Sequence, residues 1–291
     1  MRVCKYVLCA IVSVPFLAIP VRSAASENQY IETLRSGSYE RRIDAMLHLG
    51  FAGNKAAFFY LVENLNSGHD REPAAPRHIR TRSVAAEALG RLRDDRAIPH
   101  LVARYGDEES PEVKRSILFA LSFFKSAAAE GIVNDGLSSG DEGVLFEAIR
   151  TAALSGNAST APRLREIAAK SPVERVRLAG AYALVALGDT VEKNMTLLEE
   201  GLKSRDAESR FWAAVYLGEV GRAVSLESLA KAREIENMEW VKREIDISAA
   251  RLATMRKRQR EREEDERLDR ILADRQKDES GADLPDRGET R

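Results

Sequence analysis

One spacing pattern returns seven times along this chain, and a pattern with that interval leaves few folds open. In Arg82–Leu101, RSVAAEALGRLRDDRAIPHL, Arg82 is followed by small residues at +3 and +4 (Ala85, Ala86), a leucine at +7 (Leu89) and then Gly90. Such spacings put the small and apolar residues on one face of an α-helix. The frame recurs as Arg42 with Ala45, Met46, Leu49 and Gly50; as Arg177 with Gly180, Ala181 and Leu184; and as Arg210 with Ala213, Ala214, Leu217 and Gly218. Lys114, Ile117, Leu118 and Leu121 carry it with larger residues; Ile245, Ser248, Ala249 and Leu252 carry it without the leading Arg. A poorer copy ends at Leu154, with Arg150 and Thr151 in the small positions. The key leucines 49, 89, 121, 154, 184, 217 and 252 follow one another at intervals of 40, 32, 33, 30, 33 and 35 along the chain. A helical hairpin of that length cannot bury its apolar face alone, so neighbours must stack. Each buried Leu contributes roughly 1.5–3 kcal/mol, and the stack sums these terms.

Helix starts agree with the period. Ser110 precedes Pro111, an N-cap followed by a proline at the first helical position. Ser171, Pro172, Val173 and Glu174 spell a capping box. Ser38, Asp141 and Asp206 stand as far ahead of their leucines as those serines do, three helical turns or slightly more. Second helices are expected at Ala56–Leu65, Ala97–Ala103, Ala161–Ala169, Glu192–Leu202 and Ser225–Ala232, with Pro99 and Pro162 early enough to be tolerated. No alternating β-branched run bounded by turn residues argues for a strand.

This pattern resembles HEAT-like repeats of the phycobilisome-lyase type, whose consensus runs roughly V-R-x-x-A-A-x-A-L-G-x-L-x-D-x-x-A-x-x-x-L. Arg82, Ala85, Ala86, Ala88, Leu89, Gly90, Leu92, Asp94, Ala97 and Leu101 carry it best, and the likeness covers about residues 38–253. The resemblance implies an all-α fold, a right-handed α-solenoid of about six to seven hairpins. It says little about activity, because bilin lyases, deoxyhypusine hydroxylases and many adaptors share the fold. The hydroxylases use repeated His-Glu pairs to hold iron; here the four histidines precede Leu49, Asp70, Ile79 and Leu101, so that pair is absent. No catalytic, cofactor-binding or metal-ligating set is expected.

Residues 1–25 read as a signal peptide. Arg2 and Lys5 give a positive start, Tyr6–Val21 an apolar core broken by Pro15 and Pro20, and Val21-Arg22-Ser23 or Ser23-Ala24-Ala25 small residues for cleavage. That core is short for a membrane span. Both cysteines, Cys4 and Cys9, lie in this N-terminal stretch, so the mature chain would hold no thiol for a disulfide, a metal or a nucleophile. A periplasmic or secreted location is expected, with no membrane span after cleavage. The net charge of −1 gives no argument for nucleic acid.

The domain reading is therefore a signal peptide (1–25), a repeat solenoid (26–253), a charged helix (254–277) and a disordered tail (278–291). Asn28–Arg35 is expected to cap the first repeat with a polar outer face. Asn66–Arg80, with His69, Asp70 and His78, is a polar insertion that explains the spacing of 40, read as a solvated loop. Glu263 with Arg267 and Glu266 with Arg270 support the charged helix as i,i+4 pairs. The repeat residues Arg42, Arg82, Arg177, Arg210, Leu49, Leu89, Leu121, Leu184 and Leu217 are read as structural, the arginines bonding to adjoining turns with Asp94 and Asp189 as acceptors. Stacking would otherwise align them about 10 Å apart as an anion ladder. Adjacent aromatics cannot both point fully into a core, so either both are shared between two inter-helix seams or one of each set is an exposed partner anchor, the candidates being Tyr60, Phe124 and Trp212. The expected function is a non-enzymatic scaffold that binds a protein partner. The alternatives are a membrane- or cell-wall-associated structural protein and a lyase-like enzyme.

Overall fold

A computed structural model describes residues 24–68, 74–220, 222 and 225–281, with side chains described over 28–68, 74–220, 222 and 225–272. The signal-peptide reading (all but its last two positions), His69 and Asp70 of the insertion, and the tail from residue 282 lie outside them. The described residues are all helix, turn or loop, as the repeat demands. The α-helices are α1 (Ala24–Ser36), α2 (Tyr39–Ala52), α3 (Phe58–Leu65), α4 (Pro76–Leu92), α5 (Ala97–Asp107), α6 (Pro111–Leu121), α7 (Glu130–Gly136), α8 (Glu142–Ser155), α9 (Ala161–Lys170), α10 (Glu174–Ala186), α11 (Val191–Gly201), α12 (Ala207–Val220), α13 (Ser225–Ile235) and α14 (Glu239–Gly281). Odd-numbered helices from α3 to α13 are the second members of six hairpins. The chain divides into two compact units, residues 1–151 and 152–291.

In the first unit the first helices form one layer, α1 on α2, α2 on α4 and α4 on α6. Small residues permit the close approach. A Cβ built on Gly90 would stand 2.5 Å from Ala120 Cα, and one on Gly50 would stand 2.8 Å from Ala88 Cα. In the second unit α10 meets α12 and α12 meets α14 in the same way, and a Cβ on Gly218 would be 2.7 Å from Ser248 Cβ. Leu49, Leu89, Leu121, Leu184, Leu217 and Leu252 are all buried.

Leu154 is not: it is 44% exposed. The core of α8 is Val144, Ala148, Ile149 and Ala152. Sliding the frame back by two positions makes Ala152 the key residue, at the same interval from Asp141 as Leu121 is from Ser110. Thr151 is then buried, and its hydroxyl donates to Leu118 O at 2.9 Å. The repeat is regular; a solvent-facing leucine disguises it.

Other expectations are corrected. The insertion is shorter than Asn66–Arg80, because α4 begins at Pro76 after an extended Ala75. The Ser171–Glu174 capping box does not form: Val173 is the N-cap, and the Glu174 carboxylate instead accepts from Ser204 Oγ at 2.6 Å. Ser38 and Ser110 cap by position only, without a side-chain bond. The aspartates do bond, Asp141 accepting from Val144 N–H and Asp206 from Ser209 N–H, both at 2.9 Å. An ionised acceptor suits the positive end of a helix better than a hydroxyl does. The charged segment 254–277, read from sequence as a helix extending from the last repeat, is the continuation of α14, which runs 43 residues, to Gly281, without an internal Gly or Pro to stop it, and so takes in positions 278–281 of the expected tail.

Candidate protein-interaction face

The frame arginines come first, since they decide which charges remain available. Arg82 is fully buried. Its Nε and Nη2 donate to the Glu108 carboxylate at 2.8 and 3.1 Å, and Nη1 donates to Ser67 O at 3.0 Å. Arg104 adds two bonds to Glu108 Oε2, and the Ser110 N–H donates to Oε1 at 2.9 Å. Glu108 therefore ties the end of α5 to the start of α6. Burial works against its charge, but the bonds from Arg82, Ser110 N–H and Arg104 prevail and hold its pKa below the ordinary value.

The same device recurs in the second unit. Arg210 donates to both oxygens of Glu236, at 2.6 and 3.0 Å, and its Nη1 donates to Ser204 O at 2.9 Å. Asn237 and Met238 N–H cap the carboxylate. Hydrogen bonding to Arg210 is the main cause that holds the Glu236 pKa down at about 2. In both copies the acceptor lies 26 residues after the Arg. At that offset Arg177 meets Lys203 and Arg42 meets Gly68, neither an acceptor. Arg177 bonds only to Ser171 O and Pro172 O, and half-buried Arg42 makes no side-chain hydrogen bond among the described residues. The structural role of the row holds for Arg82, Arg177 and Arg210, but the acceptors named from sequence do not. Asp94 takes Arg96 at 2.7 Å, and Asp189 takes Arg165 at 2.5 Å.

A different set of charges is left on the outer face of the first-helix layer in the first unit. Phe51 at the end of α2 is 58% exposed. The Arg91 guanidinium on α4 lies over it, its carbon 4.1 Å from the ring centroid, and also 5.1 Å from that of Phe119 on α6. The guanidinium of Arg150 on α8 also lies over Phe119, at 5.0 Å. Phe123 meets Phe119 edge-on at 5.1 Å and carries Arg93 at 5.7 Å. The row thus alternates ring and cation across four helices, a geometry in which each cation gains from the ring quadrupole.

Two features make this row more than covering. Arg91 has no hydrogen bond or ion pair among the described residues, and its Nε is buried; Nε and Nη1 of Arg150 are likewise buried without a partner, while Nη2 pairs with Glu147. Burial lowers the Arg91 pKa, Glu87 opposes that shift and Arg150 reinforces it. Glu87, one turn before Arg91, accepts from Ser116 Oγ at 3.2 Å instead, and burial raises its pKa. Second, Arg93 adopts a left-handed conformation, φ 49°, where Gly53 and Gly156 end α2 and α8. A side chain there costs about 1 kcal/mol relative to glycine.

The sequence-derived anchors fare differently. Phe124 is 4% exposed and belongs to the core, because the chain turns inward after α6; it is no surface anchor. Tyr60 is half-buried, and the exposed member of its trio is Phe59. Trp212 is half-buried, stacked on Tyr216 at 5.7 Å and edge-on to Phe211 at 5.5 Å, with the exposed Trp240 beyond Phe211. His78 bonds to Ser67 Oγ at 2.9 Å. Among the described residues no three His, Cys, Asp or Glu side chains converge to hold a metal ion. No described helix is long and apolar enough to cross a membrane.

Comparison with known proteins agrees with this geometry. The sequence matches the HEAT-repeat family over residues 29–122 and 107–185, more than half of the chain. The chain belongs to the HEAT-repeat family. The complex of CpcE and CpcF of phycocyanin lyase from Nostoc sp. PCC7120 is similar in structure, with 21% identity and a TM-score of 0.59 over 78% of this HEAT-repeat chain and 94% of that one. At that identity the likeness shows the fold alone. Human deoxyhypusine hydroxylase aligns with 16% identity and a TM-score of 0.34 over 80% of this chain and 86% of that one. An engineered protein aligns with 19% identity and a TM-score of 0.32 over 79% and 97%. No curated protein matches the chain by sequence.

Proposed function

We propose that this HEAT-repeat protein is a non-catalytic scaffold that binds a partner protein, and that it acts in the bacterial periplasm. The carrying observation is the ring-and-cation row Phe51, Arg91, Phe119, Arg150, Phe123 and Arg93. Aromatic and arginine side chains dominate the binding energy of protein interfaces. Here Phe51, Arg91, Phe119 and Arg150 are carried on helices and Phe123 and Arg93 just after helix ends, so little side-chain entropy is lost on docking. The periplasmic assignment is supported by residues 1–25, which read as an export signal, and by the absence of cysteine after Cys9. The test is capture of a partner by the exported chain beside a Phe51→Ala, Phe119→Ala double variant. A partner held by the parent and lost from the folded variant supports the reading; equal capture by both counts against it. N-terminal sequencing of the exported protein tests the location, with a start near Ala24 or Ser26 expected.

A further inference from the structure

We infer that Arg91 is the receptor for an acidic side chain, Asp or Glu, set beside an apolar residue of the partner. This inference rests on the reading of the face as a partner-binding surface. An imbalance of donors points to it. Arg91 brings five N–H groups, none bonded to a described residue; its Nε is buried, so the N–H groups of Nη1 and Nη2 are those a ligand would reach, while Arg150 satisfies one nitrogen through Glu147 and buries the other two. The nearby acceptors are already committed: Glu147 to Arg150, and Glu87 to Ser116. The missing element is a carboxylate from outside.

Geometry suits that ligand. The Arg91 guanidinium is held over two rings, 4.1 Å from Phe51 and 5.1 Å from Phe119, so the fork is oriented before anything arrives. A planar fork bonds a planar carboxylate through two parallel N–H···O contacts, which a lysine cannot reproduce. Phe51 offers an apolar surface for a neighbouring residue of the same partner. The flanking carboxylates Glu87 and Glu147 select against more strongly charged ligands. With Arg150 paired to Glu147, one negative charge can be matched by Arg91, whereas the second charge of a phosphate dianion, or the many of a nucleic-acid backbone, would meet only the repulsion of Glu87 and Glu147.

The test uses the full chain and a fluorescein-labelled, terminally blocked hexapeptide of alternating glutamate and phenylalanine, beside its glutamine–phenylalanine counterpart. Fluorescence anisotropy should show the glutamate peptide binding about tenfold more tightly, a difference that shrinks with added salt. Arg91→Gln should erase the difference and Arg91→Lys should erase most of it, while Arg258→Gln on the charged part of α14 leaves it unchanged. Thermal melts of each variant confirm folding. Equal affinity for the two peptides, no binding of either, or a glutamate preference that survives Arg91→Gln overturns the inference. If Phe51→Ala weakens both peptides and Arg91→Gln neither, the face stands as an interaction surface and only the carboxylate chemistry falls.

Discussion

Arg82 and Arg91 stand on one helix and live in opposite circumstances. Arg82 is buried, and Glu108 and a carbonyl oxygen take its donors. Arg91 is held by two rings and given no acceptor. The difference is not in the residue but in what the repeat supplies around it. An arginine at the head of the frame meets the end of its own hairpin and the start of the next, so it can close a structural joint. An arginine two positions beyond the key leucine is off that joint, where aromatic rings hold it and no acceptor among the described residues bonds it. Arginine on the frame builds the stack; arginine off the frame is the one proposed to bind.

The sharpest way to break that contrast is to remove the acceptor from the buried joint. Glu108→Gln leaves Arg82 and Arg104 buried without a counter-charge and should cost about 3–5 kcal/mol in denaturant unfolding. Arg91→Gln, by comparison, should change stability by less than about 0.5 kcal/mol. Next in size is the second copy of the joint. Glu236→Gln should cost about 1.5–3 kcal/mol, less because Arg210 is partly exposed. The Glu236 pKa is depressed to about 2, so its contribution is present above the ordinary carboxylate value and lost as pH falls toward 2. A series of melts between pH 5 and pH 2 should show a larger loss in the parent than in Glu236→Gln, where Glu108 and the other depressed carboxylates still titrate.

On the candidate face the sign reverses. The Glu87 pKa is raised by burial, so its stabilising state is the protonated one, complete below the ordinary value and lost as pH rises through the raised one. Glu87→Gln should therefore stabilise the protein by about 0.5–1 kcal/mol at neutral pH, and the gain should vanish in acid. The smallest effect is at Arg93. Arg93→Gly should relieve its left-handed backbone and raise stability by about 0.5 kcal/mol, at the cost of the contact with Phe123. Both variants are predicted to gain stability where the frame variants lose it, the pattern that the proposed binding role implies.

The stack is legible in the sequence because its signal is periodic. The key leucines, the small residues beside them and the second helices follow from spacing alone. The failures are local. Leu154 attracts the frame of α8 by residue type, though Ala148 and Ala152 offer a better register. Glu108 and Glu236 escape notice because the adjoining turn is the obvious place for an acceptor, whereas they arrive from the far end of the hairpin. The candidate face escapes for a related reason. Adjacent aromatics mark the chain visibly, yet Phe124 turns into the core, while Phe51 and Phe119, two repeats apart in the chain, meet on one arginine only after stacking. An Arg two positions after a key leucine, level with aromatics on neighbouring copies, is the available clue.

The most direct test of the binding claim is to crosslink the exported chain to its partner and locate the joined residues by mass spectrometry. Crosslinks are predicted on the outer face of α2, α4, α6 and α8 in the first unit, around positions 51, 91, 119 and 150. Crosslinks confined to the second helices, or to the charged part of α14, would contradict that claim.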